Sequence, residues 1–109
     1  MNFSDYQKAA AKTAIYPQRL EVVGLMYTAL GLAGESGELA NKIKKMLRDN
    51  LAKEDIREFA KKELGDILWY IAETANQLGL DLDEIAEANV AKLASRKDRG
   101  ALGGSGDNR

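Results

Sequence analysis

Two short acidic motifs hold the residues of this sequence that are best suited to chemistry. Glu35-Ser36-Gly37-Glu38 and Glu63-Leu64-Gly65-Asp66 each place two carboxylates three residues apart. On an α-helix, positions i and i+3 lie on the same face. A single pair of this kind usually lies on a solvated surface. Its meaning therefore depends on where the four acids fall relative to the apolar residues around them.

Apolar residues flank both motifs at helical spacing, with about 100° of turn per residue. Beside Glu35 lies a first stripe, made of Leu25, Leu32, Leu39 and Ile43. Beside Glu63 lies a second stripe, made of Ile56, Ala60, Leu64, Ile67 and Ile71. In each helix the acids lie on the rim of the apolar stripe. We therefore expect two antiparallel helices to pack through these stripes and to bring their four carboxylates together.

Clustered carboxylates repel one another and raise each other's pKa values unless a cation lies among them. The sequence has no cysteine and no histidine. This excludes disulfides and thiolate chemistry, and it argues against zinc or a Glu-x-x-His di-iron site. Oxygen ligands alone select Mg²⁺, Mn²⁺ or Ca²⁺. Because Mg²⁺ keeps waters and binds substrate phosphates, an open site of this kind suits a nucleotide.

Basic residues that suit phosphate occur toward the end of the chain. Asn89, Lys92 and Arg96 follow an i, i+3, i+7 spacing and share one helical stripe. Lys and Arg bind phosphate oxygens, and Asn bonds to sugar, base or phosphate. A solvated helix face is the alternative reading of this stripe. Lys42, one turn past Glu38, begins a second basic group, for which neutralisation of the nearby acids is an equally good explanation.

Four helices are predicted to position these residues, over about residues 4–16, 20–48, 53–78 and 81–97. Ser4 with Gln7 reads as a capping box, Pro17 ends the first helix, and Asp81 caps the fourth. No stretch shows the alternation of a β-strand. Residues 1–99 are thus predicted to form one all-α domain. Residues 100–109, which hold four glycines, are predicted to be disordered.

The net charge of −1 gives no electrostatic basis for binding nucleic acid or an anionic membrane. No apolar run is long enough to span a membrane, and the first residues lack the plan of a signal peptide. The sequence therefore predicts a cytoplasmic protein.

Glycines are unusually frequent in the predicted second helix. Gly31, Gly34 and Gly37 are spaced by three and form a smooth strip. Each glycine inside a helix costs roughly 1 kcal/mol relative to alanine. Close packing of another helix is one explanation of the strip, and space for a ligand beside Glu35 and Glu38 is the other.

Taken together, these segments resemble the MazG-like nucleotide pyrophosphohydrolases. That family's pattern is Glu-x-x-Glu, a spacer, and Glu-x-x-Asp, and here the spacer is residues 39–62. The flanking glycines, the sequence Ile67-Leu68-Trp69-Tyr70 and the later Asn89, Lys92 and Arg96 extend the resemblance over about residues 3–97.

The resemblance implies a bundle of four to five helices that assembles as a homodimer or homotetramer. It also implies conversion of a nucleoside triphosphate to the monophosphate and pyrophosphate, as nucleotide-pool house-cleaning. Mg²⁺, with Mn²⁺ as a substitute, would be bound by the four acids Glu35, Glu38, Glu63 and Asp66. Residues Lys42, Tyr70, Asn89, Lys92 and Arg96 would contact the substrate. Ser36 stands where some members have a further acid, so the number of metal ions stays open.

Two other readings of the sequence remain: a metal-binding interaction module without turnover, and a plain helical dimerisation domain. Trp69 bears on assembly, because it lies roughly 120° from Glu63 and outside the second stripe. We expect Trp69 to be buried at or near a homodimer interface, with stacking on a base as the second interpretation.

Overall fold

Four α-helices and no β-strand make up the chain in a computed structural model that describes residues 1–109. The helices are α1 (Phe3–Ala11), α2 (Val22–Asp49), α3 (Lys53–Gln77) and α4 (Leu82–Asp98). The all-α prediction is confirmed. None of the helices combines the length and the hydropathy that a membrane span requires.

The first helix differs most from the sequence prediction. Asn2, not Ser4, caps α1, because its side chain accepts a hydrogen bond from the Asp5 backbone N–H at 2.7 Å. The Ser4 hydroxyl instead donates to Asp83 Oδ2 at 2.5 Å, which joins α1 to the start of α4. The helix ends at Ala11 and does not continue to Tyr16. The prediction for the fourth helix is confirmed, since Asp81 accepts from the Asp83 N–H at 2.8 Å.

The two long helices form an antiparallel hairpin. Gly24 lies against Gln77 at one end, Gly31 lies against Tyr70, and Lys42 binds Glu63 farther along. On the other side of α3, α1 packs against α3 and α4 packs against α1. The small core lies there, where Ala10, Ala72 and Leu82 are buried with Tyr6 and Trp69 beside them. Acidic and aromatic side chains therefore occupy the α2–α3 contact.

The two apolar stripes are not buried in this hairpin, contrary to the sequence prediction. None of their nine residues is buried, and Leu64 and Ile43 are 54% and 38% exposed. On each helix the stripe is rotated by about 80° from the side that faces the other helix. The rotation has the same sense in both helices when each is followed from its N-terminus. In an antiparallel pair this places both stripes on one side of the hairpin. We call this side the open apolar face.

The segment after α4 turns back along the helix. The Arg96 guanidinium donates to the Asp107 carbonyl at 2.7 Å, and Ala101 N–H donates to the Arg96 carbonyl at 2.7 Å. These contacts cover Arg96, which is only 4% exposed. Disorder of residues 100–109 in solution stays a prediction.

Candidate active site

Three of the four predicted acids converge where α2 meets α3. One carboxylate oxygen from each of Glu35, Glu63 and Asp66 lies within 4.8 Å of the others. Glu63 is buried, Glu35 is half-buried and Asp66 is exposed, so the cluster opens from the helix contact toward solvent. The i, i+3 spacing on α3 and the antiparallel approach of α2 together produce this arrangement.

The cluster is electrostatically strained. Burial, followed by the charges of Asp66 and Glu63, raises the pKa of Glu35 above its ordinary value. Lys42 supplies the nearest counter-charge, because its ammonium donates to Glu63 Oε1. This hydrogen bond raises the pKa of Lys42. Glu35 and Asp66 have no ion pair with a basic side chain.

These residues fit a hard divalent cation. All three groups are carboxylates, which are ligands that Mg²⁺, Mn²⁺ and Ca²⁺ accept. Burial and, after it, the negative charges of Asp66 and Glu63 both raise the pKa of Glu35, and a bound cation would offset the second of these effects. A divalent metal bound here would neutralise negative charge of the three carboxylates. Lys42 neutralises only the charge of Glu63.

Glu38, the fourth predicted ligand, is exposed and lies outside the group of three. Its charge still contributes to the raised pKa of Glu35, after burial and the two closer acids. Its role as a metal ligand stays a prediction. Lys42, predicted to contact substrate, instead pairs with Glu63, which agrees with the alternative that it neutralises nearby acids.

A cavity of about 370 Å³ adjoins the acids and is lined by Thr13, Glu35, Asp66, Trp69 and Tyr70. Its walls thus combine two carboxylates with two aromatic rings. The cavity is large enough to receive an organic ligand and lies at the lower end of the usual range of about 300–1,000 Å³.

Gly31 is required by the position of one of these rings. A Cβ atom added at Gly31 would overlap the Tyr70 ring, so only glycine lets Tyr70 lie against α2. At Gly34 and Gly37 an added Cβ would meet open space. The glycine strip therefore has an explanation within the single chain at Gly31 and none at the other two positions.

Trp69 is held from three sides. Its indole Nε1–H donates to Thr13 Oγ1 at 2.8 Å. Its ring makes edge contacts with Tyr70 at 5.0 Å and with Tyr16 at 6.2 Å between centroids. Tyr16 in turn stacks on Tyr27 at 5.0 Å. The sequence analysis missed Thr13 and Tyr16, because both belong to a connecting segment whose path no local pattern predicts.

A buried carboxylate behind this wall was also missed. Glu73 is fully buried and accepts hydrogen bonds from the Tyr16 hydroxyl at 2.7 Å, from Arg19 Nε at 2.9 Å and from Asn76. Burial alone would raise the pKa of Glu73, but the hydrogen bonds from Arg19, Tyr16 and Asn76 outweigh it and hold the pKa below its ordinary value. Its one signal in the sequence is the seven-residue spacing from Asp66, which places both on the same side of α3.

The predicted phosphate-binding residues of α4 do not reach the acids within one chain. Arg96 is enclosed by the tail, Lys92 lies 3.9 Å from the Asp107 carboxylate, and Asn89 is exposed. No hydrogen bond or ion pair joins these three side chains to the acidic cluster. Their roles, and that of Tyr70 beside the cavity, stay predictions.

Comparison with known proteins places these features in a family. The model of the MazG nucleotide pyrophosphohydrolase domain matches residues 25–100, which include the acids and α4. The chain is also 48% identical over 114 residues to "Gene 37 protein" of Mycobacterium phage L5, and the alignment covers 100% of both chains. No solved structure matches the chain.

Proposed function

The chain belongs to the MazG nucleotide pyrophosphohydrolase family, and from this premise we propose that it is a Mg²⁺-dependent nucleoside triphosphate pyrophosphohydrolase that works as a homo-oligomer. The observation that carries the proposal is the juxtaposition of three carboxylates with an aromatic-walled cavity. We assign it a house-cleaning role in the nucleotide pool. Its action in the cytoplasm stays a prediction from the sequence.

Glu35, Glu63 and Asp66, with Glu38 beside them, would hold the cation, and Mn²⁺ would substitute for Mg²⁺. When bound, the metal would supply Lewis-acid stabilisation of phosphate charge and lower the pKa of water. One of the carboxylates accepts the proton of the attacking water. The water oxygen bonds to the α-phosphorus, the bond from that phosphorus to the α–β bridging oxygen breaks, and pyrophosphate leaves.

The cavity would receive the nucleoside. Tyr70 and Trp69 line it and present aromatic surface, while Glu35 and Asp66 lie at its acidic side. A flat base gains from contact with aromatic rings. A triphosphate bound in this direction would extend its phosphates toward the metal ligands.

The exposed surface supports assembly with further copies of this chain. The accessible area is 7735 Å² for 11.9 kDa, whereas a folded monomer of this mass exposes roughly 5,900 Å². The radius of gyration is 16.7 Å, against about 13 Å for a compact domain of this length. The excess of roughly 1,800 Å² exceeds the area of about 800 Å² that each partner buries in a standard interface.

We assign a second copy of the chain to the open apolar face. Leu64 and Ile71 are 54% and 36% exposed there, although their periodicity is that of a helix core. Two hairpins packed through these faces would form a four-helix bundle and bury the stripes. In such an assembly, Asn89 and Lys92 of one copy, and Arg96 once the tail releases it, would contact substrate bound at the acids of another copy.

The test is incubation of the purified protein with a panel of ribo- and deoxyribonucleoside triphosphates and Mg²⁺. We expect monophosphate and pyrophosphate in equal amounts, and no turnover after chelation of the metal. Stepwise release of orthophosphate through a diphosphate would contradict the assignment. Metal binding without turnover of any triphosphate would instead indicate a catalytically silent interaction module.

A further inference from the structure

The segment between α1 and α2, which we call linker 12–21, has an unusual backbone. Gln18 and Leu20 have φ angles of 52° and 68°, in the left-handed region that residues with a side chain rarely adopt. Such conformations persist when surrounding contacts over-determine them, and they are frequent near functional sites. The contacts that hold linker 12–21 are therefore informative.

A buried polar network holds the linker against α3. Tyr16 and Arg19 both bind the carboxylate of Glu73. Gln77 donates to the Tyr16 hydroxyl at 2.7 Å and accepts the Leu20 N–H at 3.0 Å. Because Glu73 has no exposed surface, it has no direct access to substrate, metal or bulk water. Its effect must pass through the linker.

The linker contacts the cavity at its aromatic wall. The Thr13 hydroxyl accepts from Trp69 at 2.8 Å and donates to the Ala10 carbonyl at 3.1 Å, so both of its bonding functions orient the indole. Tyr16 supports the same indole by an edge contact. The polar network thus holds Tyr16 directly, and Tyr16 and Thr13, both in linker 12–21, are two of the three groups that contact Trp69.

We propose that Tyr16 and Glu73 are positioning residues that hold linker 12–21 so that Trp69 presents a fixed wall to the nucleoside of the substrate. The inference rests on the proposed function. A wall that is already ordered lowers the entropic cost of binding, and aromatic surface suits the face of a base. These residues act on substrate affinity, since they touch neither the acids nor the phosphates.

Two conservative variants test this proposal. Tyr16→Phe keeps the ring contacts and removes the hydroxyl, and Thr13→Val keeps the shape and removes the acceptor for Trp69. In each we expect KM to rise about three- to tenfold with kcat changed by less than about twofold, as loss of ground-state positioning predicts. Tyr6→Phe is the control for Tyr16→Phe, because Tyr6 is a half-buried tyrosine whose hydroxyl makes no hydrogen bond.

Trp69 is the one tryptophan in the chain, so its fluorescence reports on the wall without any turnover. We expect acrylamide to quench it more strongly in Tyr16→Phe and Thr13→Val than in wild type or Tyr6→Phe. Glu73→Gln should behave likewise if it folds, and the other two variants keep the test valid if it does not.

Wild-type quenching and wild-type KM in both variants would overturn the positioning role. So would a fall in kcat at constant KM, because that result would assign the residues to the chemical step. Absence of triphosphate hydrolysis in the wild-type protein would contradict the proposed function instead, and the quenching comparison would still decide whether the network orders Trp69.

Discussion

At the scale of single residues, the charge of Asp66 has opposite effects on folding and on metal binding. Glu35, Glu63 and Asp66 place carboxylate oxygens within 4.8 Å of one another, and only Glu63 has a basic partner. Two unit charges at this distance repel by about 3 kcal/mol at an effective dielectric of about 20. Solvent screening reduces that figure, because Asp66 is exposed. Mutual repulsion of this kind is expected of metal ligands and not of structural ion pairs.

We therefore predict that Asp66→Asn leaves the metal-free protein folded, with equal or higher thermal stability. The same substitution should abolish nearly all hydrolysis and most of the Mg²⁺-induced rise in melting temperature, since that rise comes from binding to the native state. Glu38→Gln should raise the metal-free stability less, because Glu38 lies outside the group of three. The measurements are thermal unfolding with and without Mg²⁺ and a pyrophosphate assay.

Glu84→Gln serves as the control, since Glu84 is exposed on α4 and should affect neither hydrolysis nor the response to Mg²⁺. A metal-free Asp66→Asn protein that melts markedly lower and still hydrolyses triphosphates would show that Asp66 is structural.

At the scale of the helices, the three glycines of the strip in α2, Gly31, Gly34 and Gly37, separate into two kinds. Gly31 lets the Tyr70 ring lie against the helix backbone, whereas Gly34 and Gly37 face open space. All three incur the cost of a flexible residue inside a helix, which is roughly 1 kcal/mol each relative to alanine. Only at Gly31 does a contact within the chain account for that cost.

Gly31→Ala and Gly34→Ala should consequently change stability in opposite directions. Gly31→Ala should lower the free energy of unfolding by about 1–3 kcal/mol, because the new methyl group displaces Tyr70. Gly34→Ala should raise it by about 0.5–1 kcal/mol through helix propensity. Urea denaturation measures both. A loss of stability in Gly34→Ala that depends on protein concentration would show that another copy packs against that position.

At the scale of the whole molecule, a single chain buries little of its apolar surface. Only 10 of its 109 residues are buried, and the residues with core periodicity on α2 and α3 remain partly exposed. Hydrophobic burial is the dominant favourable contribution to folding and association. A second copy on the open apolar face would complete the core that this chain begins.

We predict that Leu64→Lys dissociates the oligomer at micromolar concentration, because it places a charge at the centre of the open apolar face. Light scattering or sedimentation measures the mass. Leu30→Lys is the matched control, since Leu30 is 70% exposed on the opposite side of α2 and should leave the mass unchanged. If Leu30→Lys dissociated the oligomer and Leu64→Lys did not, the interface would lie on the outer face of α2 and the prediction would be wrong.

The sequence by itself determined the helical class, most helix limits and the pairing of acids on each long helix. These features depend on interactions between residues a few positions apart, such as the i, i+3 spacing of Glu63 and Asp66 and the Asp81 cap. They can be read locally because helix geometry is the same in any context.

Only the tertiary structure decided which side chains meet. Tyr16 leaves the predicted first helix and bonds to Glu73, which is 57 residues away in sequence. The apolar stripes lie beside the α2–α3 contact, and Arg96 turns to the tail. No local pattern specifies these outcomes, because each depends on the rotation of one helix against another and on the partners that a buried polar group finds.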